Sequence, residues 1–239
     1  MGNNVPSDAP LFWSDTGVTL LGGGHLGPGD LAAALALAPR LVAADGGAAA
    51  ALDEGRIPEA VYGDMDSLAQ EARARLSPGT VHAILEQDST DFDKALRHIR
   101  APVVLAAGFT GDRVDHELAV YHGLVARPEA RCIVIGARDL VLHAPPELVL
   151  DLPEGTRLSL FPMARVTGRD SGLEWPIANV VFDPARRIGT SNRIKRAPLQ
   201  LVFDTPGMLV IVPRDHLGAV TAAVAAASVW SRTKDAGWV

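Results

Sequence analysis

Two clusters of acidic side chains, about two dozen residues apart, are the groups in this chain best suited to carry chemistry. The first spans residues 63–67 (Gly-Asp-Met-Asp-Ser) and the second spans residues 87–94 (Gln-Asp-Ser-Thr-Asp-Phe-Asp-Lys). Each follows a short apolar run, which predicts that each lies where a strand ends. Carboxylates repel one another, so a fold that gathers several needs an offsetting cation, and Mg²⁺ carrying a polyphosphate is the usual one. The pattern favours an enzyme that transfers a phosphoryl-type group from a nucleotide.

The first cluster is a candidate magnesium site. Side chains two residues apart in an extended segment point the same way, so Asp64 and Asp66 could face one ion. Mg²⁺ typically takes one or two carboxylates and completes its octahedron with phosphate oxygens and water. The competing interpretation is a turn in which both aspartates hydrogen-bond their own backbone. The spacing allows both interpretations and favours metal binding.

The second cluster has a competing interpretation as the start of a helix. Asp88 and Thr90 are good N-caps, and Thr90 with Asp93 resembles a capping box. Asp91 with Lys94 could then be an ordinary ion pair on the helix surface. An EF-hand calcium loop is excluded, because the segment lacks the central glycine and the terminal glutamate of that loop.

A third charged loop, residues 111–116 (Gly-Asp-Arg-Val-Asp-His), follows a later apolar run. Arg113 could hold phosphate oxygens in a bidentate geometry. The alternative is a solvated arginine beside Asp115 as a helix N-cap. Three charged loops, each placed after a strand of one parallel sheet, would meet at the same edge of that sheet. That edge is where open α/β sheets bind ligands.

A glycine-rich loop raises a different possibility. Residues 22–27 fit the G-x-G-x-x-G pattern, and Asp45 ends the next predicted strand, where a dinucleotide-binding fold keeps its ribose-binding acid. An NAD-dependent oxidoreductase is therefore an alternative. However, Pro28 and Gly29 extend the loop and delay the helix, and a dehydrogenase has no evident need for the two acidic clusters. A tight turn without a ligand is the other interpretation of these glycines.

The elements that must position these groups fall into two regions. Strands and helices alternate through residues 1–140, which predicts an α/β domain whose mostly parallel sheet carries helices on both faces. Asp30 is expected to cap a helix over residues 31–38. Residues 141–239 predict an all-β sandwich or barrel followed by an Ala-rich C-terminal helix over about residues 215–234. The strands expected in this region are residues 148–150, 157–161, 179–182, 199–203 and 208–212.

The composition narrows the class of partner. The chain has 239 residues, 48% of them apolar, which is enough for a sizeable core. Its net charge of −6 argues against nucleic acid, since a phosphate backbone demands clustered lysine and arginine. The most apolar late segment is too short and too Ala-rich to span a bilayer. The sequence predicts a cytoplasmic protein without nucleic-acid or membrane partners.

Taken together, six ordered motifs resemble the thiamine pyrophosphokinase family. Order and spacing agree from about residue 17 to residue 212, which is nearly the whole chain. Six motifs in order are far more specific than any one of them. The matching stretches are residues 44–47 (Ala-Asp-Gly-Gly), 63–67, 87–94, 111–116, 172–177 (Gly-Leu-Glu-Trp-Pro-Ile) and 189–192 (Gly-Thr-Ser-Asn).

The resemblance implies transfer of an intact pyrophosphoryl group from ATP to the hydroxyl of thiamine, giving thiamine diphosphate and AMP. It also implies a homodimer in which the α/β domain binds ATP and the β domain completes the thiamine site. By motif, Asp64, Asp66 and Asp91 would hold Mg²⁺, while Lys94 and Arg113 would join them as catalytic residues. Contacts to ATP would come from Asp45, Gly46, Gly47, Gln87, Asp88, Thr90 and Asp115. Trp175 would stack on the thiamine pyrimidine, and Ser191 and Asn192 would hydrogen-bond it.

An acidic pocket with an aromatic wall suits thiamine, because its thiazolium is a flat, permanent cation. Two departures from the family pattern bear on the site. Ala49 and Ala50 replace a polar pair, and Arg193 adds positive charge near a cationic substrate. The alternatives are a pyrophosphokinase for another acceptor, such as a hydroxymethylpterin, and a non-catalytic nucleotide or thiamine sensor. Trp175 is also compatible with a position in the β-domain core.

Overall fold

The computed structural model describes residues 10–66, 70–86 and 88–231. Its helices are α1 Asp30–Leu37, α2 Gly47–Asp53, α3 Gln70–Ala74, α4 Asp91–His98, α5 Val114–Ala126 and α6 Leu217–Ala226, with a 3₁₀ turn at Arg214–His216. Among these described residues, no helix has the length and apolar composition needed to cross a membrane.

The strands follow in chain order and are mostly short. They are β1 Phe12–Trp13, β2 Val18–Leu21, β3 Arg40–Ala44, β4 Ala60–Gly63, β5 Val81–Ala83, β6 Ile99–Arg100, β7 Val104–Ala107, β8 Cys132–Ile135, β9 Asp139–His143, β10 Glu147–Leu150, β11 Arg157–Pro162, β12 Gly168–Ser171, β13 Gly189–Arg193, β14 Leu199–Phe203 and β15 Met208–Pro213. Contacts divide the chain into two units. The first runs to Gly123 and includes Val134–Ala137, and the second comprises Leu124–Ile133 and continues from Arg138.

The first unit contains a parallel sheet in the order β7–β2–β3–β4–β5. The central strand β2 is buried along its whole length, and Thr19 lies opposite Leu41 on one side and Leu105 on the other. Strands buried on both faces read as continuous apolar runs, which is why the sequence indicated strands alternating with helices in this region. The parallel sheet expected for this region is confirmed.

Helices cover both faces of this sheet. Val61 packs in a core cluster with Ala48 and Leu52 of α2. The next strand residue, Tyr62, points to the opposite face, and its ring stacks on His98 of α4 with centroids 5.7 Å apart. Helices α2 and α4 therefore lie on opposite sides of the sheet.

The start of α1 differs from the sequence prediction. Asp30 is the first residue of α1, and its N-cap is Gly29, with φ of 80°. The Asp30 carboxylate accepts a hydrogen bond from the Gly27 amide at 2.9 Å. The expected N-cap role of Asp30 is wrong, because this side chain folds back to the loop before the helix.

The second unit contains two antiparallel arrangements. Strands β13, β11, β15 and β9 pair in that order, and β10, β14 and β12 form a separate sheet. The strand expected at residues 179–182 is wrong, since only an isolated bridge joins Phe182 to Val166. Strands β12 and β13 were not predicted. Their sequences, GRDS and GTSNR, are polar and lack the alternation that marks a half-buried strand.

The C-terminal helix is shorter than expected. Helix α6 ends at Ala226, because Ala227 has an extended backbone. It packs against β10, and the indole of Trp230 donates a hydrogen bond to the Ala144 carbonyl at 2.8 Å. Of the expected helix over residues 215–234, the part from residue 232 lies outside the described residues.

A buried histidine lies at the end of β9 in the second unit. His143 ends β9, and its Nε2 accepts a hydrogen bond from the Gly207 amide at 2.8 Å. Burial lowers the pKa of His143 to about 4, because the charged imidazolium loses its hydration. The native contact also requires a neutral ring, since a protonated Nε2 cannot accept a hydrogen bond.

We expect stability to fall as the pH drops from about 6.5 towards 4, because the unfolded chain then binds a proton that native His143 rejects. With an unfolded pKa of ~6.5, the loss at pH 5 is about 2 kcal/mol. Urea unfolding of the wild type and of His143→Gln at pH 7 and pH 5 measures it. Glutamine keeps an acceptor without titrating, so the variant should lose less stability at pH 5. Equal losses in the two proteins would contradict the assignment to His143.

Candidate active site

Three carboxylates meet at the carboxyl edge of the parallel sheet. Asp45 follows β3 and Asp64 follows β4, and these two strands are neighbours in the sheet. Asp66 comes two residues later. Oxygen atoms of Asp45, Asp64 and Asp66 all lie within 4.8 Å of one another. Carboxylate oxygens are the hard ligands that Mg²⁺ prefers, so the donor set fits a divalent cation.

A turn, rather than an extended segment, brings Asp64 and Asp66 together. Met65 has a left-handed backbone with φ of 69°, and the Asp66 amide donates to Asp64 Oδ1 at 3.2 Å. The expected extended geometry is therefore wrong. The competing interpretation, an aspartate that hydrogen-bonds its own turn, describes the backbone correctly. The same turn still leaves both carboxylates facing Asp45.

Gly63 permits the close approach of the two strand ends. Its φ is 153°, and a Cβ atom there would lie 2.8 Å from the Cβ atom of Asp45 and 3.3 Å from Oδ1 of Asp91. A larger residue would push these two acids apart. The absence of a side chain at Gly63 therefore determines how closely the acidic groups gather.

Lys94 supplies the offsetting positive charge. Its ammonium lies 3.2 Å from Asp91 Oδ1 and 3.8 Å from Asp64 Oδ2, with the side chain only 3% exposed. The Thr90 hydroxyl caps α4 by accepting from the Asp93 amide at 3.3 Å, which fixes where the helix starts. The N-cap expected at Thr90 is confirmed. Lys94 thus joins the first acidic cluster to the second.

These groups open onto a cleft of about 500 Å³ in the first unit. Of the residues predicted for the site, Asp45, Gly46, Asp64, Thr90, Asp91, Lys94 and Arg113 line it. The lining also includes Gly23 and Gly24 of the glycine-rich loop, Ser89 of the second acidic cluster and His116 of the third charged loop, together with Phe109 and Thr110, which the sequence did not single out. Gly47, Asp66, Asp88 and Asp115 are not among the lining residues, and Gln87 lies outside the described residues.

Gly47 has a packing role beside the cleft. A Cβ atom there would lie 2.0 Å from the Leu21 carbonyl oxygen, so only glycine lets α2 start this close to β2. The glycine-rich loop after β2 also lines the cleft. Gly24 donates to the Gly108 carbonyl at 2.7 Å, which links two strand-end loops. Whether this loop is a tight turn without a ligand or contacts one stays a prediction, but its position places it beside the cleft.

The third charged loop presents an exposed ion pair. Arg113 Nη2 lies 2.5 Å from Asp115 Oδ2, and both side chains are mostly exposed. The hydrogen bond from Arg113 lowers the pKa of Asp115. Asp115 lies in the first turn of α5, and Arg113 lines the cleft. Solvated salt bridges of this kind contribute little to stability, so Arg113 can exchange Asp115 for another anion.

The residues predicted to bind thiamine come together in the second unit. Asn192 is buried, and its amide donates to the Trp175 carbonyl at 2.8 Å while its Oδ1 accepts from the Trp175 amide at 3.2 Å. The Trp175 side chain is 52% exposed, and the Arg193 guanidinium lies 5.3 Å from its ring centroid. Ser191 has φ of 62° and donates its amide hydrogen to the Ser159 hydroxyl. Trp175 is therefore not a core residue.

The comparisons with known proteins agree with this geometry. The family model described as "Thiamin pyrophosphokinase, catalytic domain" matches residues 31–135. Thiamine pyrophosphokinase 1 of Arabidopsis thaliana is 27% identical over 168 residues, which cover 62% of each chain. The chain therefore matches less than two thirds of the length of that plant relative. Thiamine pyrophosphokinase of Bacillus subtilis is 28% identical over 184 residues, covering 72% of this chain and 85% of the relative.

Solved structures show the same fold. The crystal structure of the Bacillus subtilis enzyme superimposes with a TM-score of 0.66 at 23% identity, over 83% of this chain and 98% of that chain. Thiamin pyrophosphokinase from Candida albicans gives a TM-score of 0.70 at 14% identity, over 87% and 94% of the two chains. Sequence and fold therefore agree in their similarity to thiamine pyrophosphokinases, and residues 31–135 match the catalytic-domain model of that family.

Proposed function

We propose that the protein transfers the pyrophosphoryl group of ATP to the hydroxyl of thiamine, producing thiamine diphosphate and AMP. The observation that carries this proposal is the cluster of the Asp45, Asp64 and Asp66 carboxylates beside the buried Lys94, in a chain similar to thiamine pyrophosphokinases. Such a site can bind a divalent cation and a polyphosphate together.

The proposal includes Mg²⁺. Asp64 and Asp66 are the proposed ligands, with Asp45 the third carboxylate within reach. Asp91, which the sequence also predicts as a ligand, has its Oδ1 atom 3.2 Å from the Lys94 ammonium, and we propose that it acts beside the ion. When bound, the ion would neutralise phosphate oxygens and so assist attack at phosphorus.

The protein groups around the cleft would align the polyphosphate. Phosphoryl-type transfer depends mainly on positioning and on stabilising charge, so no covalent role is required of the protein. Lys94 is proposed to meet the phosphate charge from the floor of the cleft, and Arg113 from its exposed rim. Gly23 and Gly24 line the cleft and have no side chains, so a phosphate could approach the backbone closely at these two residues.

Thiamine recognition is assigned to the second unit. We propose that Trp175 stacks on the pyrimidine, with Ser191 and Asn192 as hydrogen-bonding partners. Asn192 already holds the backbone of Trp175, so it would also fix the orientation of the indole. We propose in addition that the protein is a homodimer and that it acts in the cytoplasm.

An endpoint assay with ATP, Mg²⁺ and thiamine tests the proposed reaction. AMP and thiamine diphosphate in equal amounts would support it. ADP with thiamine monophosphate would overturn the pyrophosphoryl mechanism. Turnover with a hydroxymethylpterin but not with thiamine would overturn the acceptor, and nucleotide binding without turnover on either would favour a sensor.

The double variant Asp64→Asn, Asp66→Asn should fold normally and lose turnover by orders of magnitude, because amides bind Mg²⁺ far more weakly than carboxylates do. Steady-state kinetics with a circular dichroism melt measures both properties. Asp53→Asn, an exposed aspartate at the end of α2, is the matched control. Near-normal turnover in the double variant would remove both residues from the metal site.

Trp175→Ala should raise KM for thiamine by about tenfold and leave KM for ATP nearly unchanged, since one stacked base is worth roughly 1–3 kcal/mol. Trp175→Phe should recover part of the loss. Trp13→Ala is the control, because Trp13 is also exposed and lies in β1 of the first unit. An unchanged KM for thiamine in Trp175→Ala would exclude the stacking role.

A further inference from the structure

Helix α4 buries two cations on one face, and the proposed reaction uses only the first of them. Lys94 contacts the carboxylates of the cleft. Arg97 follows three residues later, where side chains share a helix face, and is only 7% exposed. A buried guanidinium is costly unless it is paired, so the partner of Arg97 must be accounted for.

That partner is Glu86, which lies in the segment between β5 and α4. Arg97 Nη2 lies 2.7 Å from Glu86 Oε1. The Ser89 hydroxyl donates a hydrogen bond to the same Glu86 oxygen. The hydrogen bond from Arg97 is the largest cause of the lowered pKa of Glu86. The carboxylate is therefore ionised at neutral pH and makes a charge-assisted contact with Arg97.

These contacts connect the segment between β5 and α4 to the helix at two places. Glu86 is tied to the last turn of α4 through Arg97, and to the residue before the N-cap through Ser89. Thr90 then caps the helix. Ser89, Thr90 and Asp91 all line the cleft, whereas Glu86 and Arg97 do not.

We infer that Glu86, held by Arg97, is a positioning residue for the cleft. It fixes the segment before α4 so that Thr90, Asp91 and Lys94 keep their places relative to the bound polyphosphate. The catalytic consequence rests on the function proposed above. The positioning itself does not rest on that function, because it concerns how well ordered the segment before α4 is in the free protein.

The test compares Glu86→Ala with Glu86→Gln. The alanine variant should lower kcat by about tenfold to a hundredfold, as expected for a small displacement of aligned groups, with KM for thiamine little changed. Glutamine keeps an oxygen that can accept from Arg97 and Ser89, so it should recover most of kcat. Hydrogen–deuterium exchange over residues 85–94 should rise in the alanine variant and stay near the wild-type rate in the glutamine variant.

Glu59→Ala is the matched control. Glu59 also pairs with an arginine, Arg40, at 2.5 Å, and both lie at the amino ends of β3 and β4, away from the cleft. This variant should leave kcat and the exchange over residues 85–94 unchanged. The inference would be overturned if Glu86→Ala had the same kcat as the wild type, or if the alanine and glutamine variants lost kcat equally. If the wild type does not convert thiamine, the proposed function fails but the positioning role of Glu86 is not affected. In that case, unchanged hydrogen–deuterium exchange over residues 85–94 in Glu86→Ala would by itself overturn the inference.

Discussion

The structure of the first unit depends on how it gathers negative charge at the carboxyl edge of one sheet. Two like charges ~4 Å apart repel by about 4 kcal/mol at an effective dielectric constant of ~20, so three neighbouring carboxylates are destabilising by themselves. The buried ammonium of Lys94 offsets part of that repulsion. Because Lys94 is on α4, the start of that helix must be fixed, and the Thr90 cap fixes it.

Close backbone approach is the second requirement of this arrangement. Gly63 lets the end of β4 come near Asp45, and Gly47 lets α2 start against the carbonyl of Leu21. Each position lacks room for a Cβ atom. The glycine that ends β4 therefore lets the acids come together, and the glycine that starts α2 lets this helix pack closely against β2.

The sequence predicted well that charged loops meet at this edge of the sheet, because each strand and the loop after it can be recognised from a short stretch of sequence. Strand β3, Arg40–Ala44, has the sequence RLVAA, in which an apolar run marks a buried parallel strand. Equivalent ends of parallel strands must meet, so the proximity of the loops that contain Asp45 and Asp64 followed from topology. The role of Gly24 was left open by the sequence, because a glycine motif does not reveal whether its loop faces a ligand or only turns the chain.

The second unit was predicted less well, for a physical reason. Strands β12 and β13 are polar and half-exposed, so their pairing is decided by partners distant in sequence rather than by their own pattern. The contacts of Asn192 with the backbone of Trp175 likewise join residues that are distant in sequence. No local pattern shows that a polar side chain is buried in order to hold an exposed aromatic ring.

We propose that Asp45, Asp64 and Asp66 form one divalent-cation site. Electron paramagnetic resonance titration with Mn²⁺, in the presence of ATP, tests it most directly when the wild type is compared with Asp45→Asn. The substitution is expected to weaken Mn²⁺ binding at least about tenfold, a loss typical even of residues that only support a ligand. Equal Mn²⁺ affinity in the two proteins would contradict it.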